Sequence, residues 1–246
     1  MSATNNDFKR RIDCVLAGTY PSGELVPVCL TPQLIQDVGF NPLVMAMKQR
    51  HIRDILKPER IGNGGNTHGL NREFLDNLPN HIAEPAMILN SRSHPESSIV
   101  LVSDKTDTGN RPIIIALLSN GTGMINKQNI YCNIVTSAYG RNDFKTFIEC
   151  CCNENKVIYY NEKKSQVLAD TIRVQFPQAL TKLNSSTIIH RFKVNVNSLD
   201  KNYLDKPPTF AEVAAATKNV RPATLINNTK KNDGKPTGNG TGSRGR

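Results

Sequence analysis

Ser97-Ser-Ile-Val-Leu-Val-Ser103, then Arg111-Pro-Ile-Ile-Ile-Ala-Leu-Leu118, then Asn129-Ile-Tyr-Cys-Asn-Ile-Val-Thr-Ser-Ala-Tyr139 are three β-branched runs in close succession. Asp104 to Asn110 forms a polar turn between the first two, and the Gly-rich Asn120 to Gly123 is expected to turn the chain before the third. Runs rich in Ile and Val joined by short Asp, Gly and Asn connections predict an antiparallel meander. The connections are too short for a strand–helix–strand crossover, which argues against a parallel sheet here. A fourth run, Lys156 to Tyr160, follows a helix-length segment and is placed to extend the sheet.

Working outward, Leu25 to Leu30 reads as a strand and Pro42 to Met47 as a second. Between them Thr31-Pro32 predicts a helix start, with threonine as N-cap and proline at the first position, and Gly39 closes it. Lys48 to Arg60 has Ile52, Ile55 and Leu56 at helical spacing, with Lys48, Arg50, Arg53, Lys57 and Arg60 on the outer face. By pattern alone that cationic stripe is an ordinary solvated helix face. Asn71 caps a short helix through Leu78, Pro79 begins another, and Ala86 to Leu89 reads as a strand ahead of the meander. A helix capped by Asn142 or Asp143 runs to Cys152.

These elements predict an α+β fold, with short helices on a four-stranded antiparallel sheet and a small N-terminal strand–helix–strand unit. The expected divisions are a flexible basic arm over 1–23, the α+β domain over 24–176, an extension over 177–226 and a disordered basic tail over 227–246. The tail carries Lys, Asn, Gly and Thr with no apolar residue to bury.

The formal charge is +10. Lys230, Lys231, Lys235, Arg244 and Arg246, set against Asp233, supply +4 of it, so the rest of the chain keeps +6. An excess of that size favours polyanionic partners through counterion release. Six cysteines, three of them adjacent at 150–152, show neither a CxxC nor a histidine at ligand spacing. Reduced thiols are expected, and neither a metal site nor a cofactor is indicated. The first residues lack an apolar core and no run approaches a membrane span, so a chain off the membrane and in the cytoplasm is expected. Walker, GxGxxG, nucleophile-elbow and helix-turn-helix patterns are absent.

The groups left for chemistry are His51, His68, Ser137, Tyr139, Arg141, Tyr159, Tyr160 and several lysines. That is the inventory of metal-independent RNA cleavage. One imidazole takes the 2′-hydroxyl proton, a second acid protonates the leaving oxygen, and cations and hydroxyls stabilise the phosphate. Each group also has a plainer reading. His51 beside Ile52 suits packing, Tyr139 suits a strand end, and Arg141 after Gly140 suits a turn cap. His68 follows the Gly-rich stretch 62–66, which favours exposure. His81, His94 and His190 read as surface or structural residues.

Several short motifs occur in a fixed order. They are Val26-Pro-Val-Cys-Leu-Thr-Pro32, Arg50-His-Ile-Arg-Asp-Ile-Leu56, His68-Gly-Leu70, Leu78-Pro79 and Glu84-Pro-Ala-Met-Ile88, followed by Asn133-Ile-Val-Thr-Ser-Ala-Tyr-Gly-Arg141 and Ile158-Tyr-Tyr-Asn-Glu-Lys-Lys164. Over about residues 25 to 170 this order resembles the phage barnase–EndoU–colicin–RelE-like nuclease family, related to the C-terminal domain of phage Mu F-type head-morphogenesis proteins. The resemblance implies an RNase-like fold and an endoribonuclease acting as toxin or effector of a phage or mobile element. It implies His68 as general base or acid, His51 as its partner or orienter, Arg141 as phosphate clamp, and Ser137 and Tyr139 as hydrogen-bonding groups. It further implies RNA contacts from Tyr160, Asn161 and Lys163, with Arg53 from the His-Ile-Arg-Asp motif. RNA is the expected partner, with a protein inhibitor or phage component beside it and the bacterial cytoplasm or the virion as the location. The alternative is a non-catalytic phage or mobile-element protein that uses the same fold to bind nucleic acid or protein.

Overall fold

A computed structural model describes residues 3–58, 68–177, 180 and 187–188. The predicted meander is its centre: β4 (Ser98–Thr106), β5 (Pro112–Ile125) and β6 (Gln128–Gly140) pair in antiparallel register. β3 (Met87–Asn90) adds antiparallel to β4, β7 (Val157–Tyr160) to β3, and the two-residue β8 (Thr187–Ile188) to β7. On the other side β1 (Leu25–Leu30) pairs antiparallel with β2 (Val44–Lys48), and β2 runs parallel to β6. The sheet therefore has the order β1-β2-β6-β5-β4-β3-β7-β8 and is mixed, in place of the expected four antiparallel strands. The N-terminal strand–helix–strand unit, with α2 (Gln33–Asp37) at its bend, forms as read but joins the main sheet.

Both faces of the sheet are covered, which is why Ile113-Ile114-Ile115 is apolar at every position. Ile113 and Ile115 face one core together with Ile99, Leu101, Met45, Met47 and Val135. That core is roofed by α1 (Ala3–Leu16), α3 (Gln49–Leu56), α4 (Arg72–Asp76) and α5 (Leu78–Ala83). Ile114 faces the second core with Met87, Leu89, Val102 and Tyr160, covered by α6 (Phe144–Asn153) and α7 (Glu162–Ile172). Asn71 caps α4 as expected, accepting from the Phe74 N–H at 2.7 Å. Pro32, rather than Thr31, occupies the N-cap of α2, because the Thr31 hydroxyl donates to the Leu43 carbonyl at 2.6 Å.

Two expectations fail for clear reasons. The arm expected over 1–23 is a packed helix in its described part. Phe8, Ile12 and Val15 recur at helical spacing and are fully buried, while Arg11 reaches the Pro27 carbonyl at 3.4 Å from a buried position. Ile12→Val is therefore expected to cost about 1 kcal/mol, read as a lower denaturant midpoint. An unpacked arm would show no change.

The turn expected at Asn120 to Gly123 is strand. β5 runs on to Ile125 and reverses at Asn126-Lys127, both with positive φ (52° and 62°), as a two-residue hairpin requires. The buried Glu24 carboxylate accepts both turn N–H groups at 3.0 Å, which holds a lysine where glycine is usual. Gly121 and Gly123 serve close approach, since a Cβ would meet Ile134 at the first and Leu25 at the second. The extension and tail expected beyond residue 177 lie almost wholly outside the described residues.

Candidate functional site

β2 and β6 run side by side for only three residue pairs, Met45–Asn133 to Met47–Val135. At Lys48 the first strand turns into α3, whereas the second continues to Gly140. The seam thus opens at its carboxyl end, and the stretch of β6 freed there carries Thr136, Ser137 and Tyr139. A cleft of about 560 Å³ fills this opening, walled by Lys48, Arg50, His51 and Asp54 on one side and by Ser137, Tyr139 and His68 on the other.

His68 is held by backbone bonds to the last turn of α3. Its N–H donates to Asp54 O at 3.1 Å, Gly69 N–H to Lys57 O at 2.8 Å, and Leu70 N–H to Ile55 O at 2.9 Å. Its Nε2 lies 3.2 Å from Ser137 Oγ, and its ring centroid 5.2 Å from that of Tyr139. His51 borders the same cleft but is differently placed. Its ring lies near the Val135 carbonyl, and Nδ1 is buried with no hydrogen-bond partner. Burial lowers its pKa below the usual histidine value, with the Lys48 and Arg50 charges acting in the same direction against the Val135 carbonyl and Asp54. His51 is accordingly neutral at physiological pH.

Asp54 is the acid in this cleft. Burial opposes its charge, but hydrogen bonds and charge from Lys57 (3.0 Å) and Arg50 (3.3 Å) outweigh that and hold its pKa below the ordinary carboxylate value. Lys48 and Arg50, read from sequence as part of a solvated helix face, are the cations of the cleft. Their placement follows from where β2 ends, which a helical-wheel pattern does not reveal.

The remaining sequence-selected residues lie elsewhere. Arg141 stacks its guanidinium over Phe147 at 4.4 Å, with Nε buried and unbonded, on the α6 side of the sheet and outside the cleft lining. Its backbone N–H donates to Pro112 O at 2.8 Å. Arg53 donates to the Val15 carbonyl at 3.0 Å and so ties α3 to the end of α1. Tyr160 is buried in the second core, with no ring face available for stacking on a base. Burial raises its pKa. Asn161 caps α7, accepting from Lys164 N–H at 3.1 Å and donating to Tyr159 Oη at 3.3 Å. Lys163 is exposed on α7. β6 and β7 are four strand positions apart in the sheet, about 19 Å, so this last group does not share the His68 cleft.

Burial raises the thiols of Cys29 and Cys132 to about 12 and of Cys151 to about 11, which keeps them protonated. No group of three or more His, Cys, Asp or Glu side chains among the described residues is arranged to hold a metal ion. No described helix is long and apolar enough to cross a membrane.

His81 provides a separate titration. It stacks on Phe74 at 4.4 Å, and burial lowers its pKa to about 4, with Lys105 and Lys164 adding to that effect and Asp104 opposing it. The unfolded chain takes up this proton near pH 6.5 and the folded chain only near pH 4. The stability held by neutral His81 is full above the unfolded pKa and is lost as pH falls from about 6.5 to about 4. In His81→Phe that part of the slope should vanish from denaturation midpoints measured between these limits.

With this geometry in place, comparison with known proteins is informative for part of the chain. Residues 61–167 match the family model of the phage MuF C-terminal domain. The match spans α4 to the first half of α7 and includes His68, Ser137 and Tyr139; it supports a phage head-morphogenesis-related domain. It leaves out β1, β2 and α3, which carry Lys48, Arg50 and His51. No curated protein matches the chain. No solved structure does either.

Proposed function

We propose that the cleft at the opened β2–β6 seam binds the phosphodiester of RNA and cleaves it without a metal ion. The observation that carries this reading is His68 Nε2 at 3.2 Å from Ser137 Oγ, in a cleft that also presents Lys48 and Arg50. In the reaction the 2′-oxygen attacks phosphorus, its proton passes to a base, and the P–O5′ bond breaks as the leaving oxygen gains a proton. His68 is the proton-transfer residue, Ser137 orients its ring, and Lys48 and Arg50 balance charge on the non-bridging oxygens. His51, with Nδ1 buried and unpartnered, forms the cleft wall and acts as a positioning residue. In a phage setting the activity suits a toxin or effector.

The test is incubation of purified protein with total RNA in EDTA, wild type beside His68→Ala. Cleavage that survives chelation and is lost in the variant supports the reading. Absence of cleavage by wild type, or equal cleavage by both, overturns it. The occlusion of His51 Nδ1 favours a second reading, a non-catalytic module that binds a phage protein or nucleic acid through the same cleft. That reading expects binding without cleavage.

A further inference from the structure

A second cleft, of about 410 Å³, lies on the other side of Lys48 and Arg50. Its walls are Ser22, Glu24, Arg53, Thr122 and Met124, and it shares Lys48 and Arg50 with the His68 cleft. The two depressions therefore meet at a pair of cations, with a third, Arg53, lining the second one while donating to the Val15 carbonyl. The acids bordering them are already engaged. Asp54 is bonded by Arg50 and Lys57, and Glu24 accepts the Asn126 and Lys127 N–H groups. Arg50 is thus paired with Asp54. Lys48, Arg50 and Arg53 against Asp54 and Glu24 leave the combined lining one positive charge in excess, with Lys48 in no ion pair among the described residues and open to an external anion. Leu25 and Met124 give the second cleft apolar surface beside that charge.

Thr122 pairs with Tyr131, and Ser137 lies six residues further along β6. The path between the two clefts, followed along the strand, is about 20 Å. That exceeds one nucleotide step, about 3.4 Å in a stacked strand. Concave, mixed apolar and basic sites suit splayed bases on a single strand better than a smooth duplex.

We propose that the two clefts form one continuous groove for single-stranded RNA. The scissile phosphate sits by His68, and flanking nucleotides cross Lys48 and Arg50 to occupy the Ser22–Thr122 cleft. This rests on the ribonuclease reading and adds to it a requirement for length: the chain recognises an oligonucleotide, not a single phosphodiester.

The experiment uses the full chain and 2′-O-methyl oligonucleotides, which lack the attacking hydroxyl, of two and ten nucleotides. Binding is followed by fluorescence anisotropy at several salt concentrations. Ser22 and Thr122 are exposed and outside the His68 cleft, so a Ser22→Glu, Thr122→Glu double variant places two carboxylates in the far cleft only. Its melting curve, matched to wild type, verifies the fold.

The decamer should bind wild type at least tenfold tighter than the dimer. The double variant should bind the decamer about tenfold more weakly and stay within twofold on the dimer. Its salt slope should be shallower by about 0.7 for each phosphate that the far cleft no longer neutralises. His68-dependent cleavage of short RNA should be unaffected. A decamer that binds no tighter than the dimer, or a variant that weakens both equally, overturns the groove while the cleavage reading stands. Polyglutamate competing as well as RNA overturns it in favour of an acidic protein partner. No binding at any length together with no cleavage removes both readings, whereas length-dependent binding without cleavage keeps the groove and removes the catalyst.

Discussion

His68→Ala is expected to lower metal-independent RNA cleavage by about two to four orders of magnitude, the range typical of removing a general acid or base. The fold should survive, because the residue is held through its backbone N–H to Asp54 O, a bond alanine retains. Its side chain contributes the 3.2 Å approach to Ser137 and the ring packing with Tyr139, both at the cleft surface. Ser137→Ala leaves the imidazole in place without its orienting hydroxyl and should cost far less, about tenfold. His51→Gln keeps a polar side chain in the cleft wall and should remain within about tenfold of wild type, in keeping with a positioning role. The readout is initial rate on a labelled oligoribonucleotide in EDTA, with melting temperatures taken alongside. A His51→Gln variant as inactive as His68→Ala would make His51 a second proton-transfer residue in place of a positioning one.

Asn133→Leu is expected to give the largest loss of stability of any single change at the seam, about 2–4 kcal/mol. Asn120 N–H loses its partner, while the Thr31 hydroxyl and the Asn41 carbonyl each lose one of two bonds, both keeping their contact with Leu43. The fully buried Asn133 amide donates to Thr31 Oγ1 at 2.8 Å and to Asn41 O at 3.0 Å, and its oxygen accepts from Asn120 N–H at 3.2 Å. One side chain therefore ties β6 to the β1–α2 connection, the loop ahead of β2 and the bulge in β5. Leucine has similar volume but satisfies none of these groups. Urea unfolding with an unchanged slope and a lowered midpoint is the expected signature. A change below about 1 kcal/mol would mean that water or neighbouring groups replace the amide.

The sequence was most legible where local pattern and tertiary role coincide. Leu25–Leu30 is the strand read from its apolar run, with the same bounds, and Asn71 caps the helix it was expected to cap. The meander was readable because each strand contains a run rich in β-branched residues. Its hairpin end was not, because the glycines that look like a turn at 121 and 123 make room for Ile134 and Leu25, while the true turn borrows its stability from Glu24, more than a hundred residues away. α1 escaped notice because Lys9-Arg10-Arg11 dominates a segment whose Phe8, Ile12 and Val15 spacing was nevertheless present.

For the site, His68, Ser137 and Tyr139 were chosen from sequence and share one cleft, as does His51. Lys48 and Arg50 were missed, since their role depends on a strand departing from its neighbour. Tyr160 was chosen for an exposed role although its strand is buried at every position. Gly140, within the Ser-x-Tyr-Gly-Arg motif, has a structural reason: a Cβ there would overlap the Asp107 carboxylate, which anchors the β4–β5 turn through Arg111.

The seam between β2 and β6 joins positions 45 and 133, which are 88 apart in the chain. Pairings of such separation require a long loop to close before they contribute, which slows folding. Because the walls of the cleft stand on opposite sides of this seam, a partly synthesised chain holds only one half of it. Any activity of the cleft begins only once the last long strand has left the ribosome and found its distant partner.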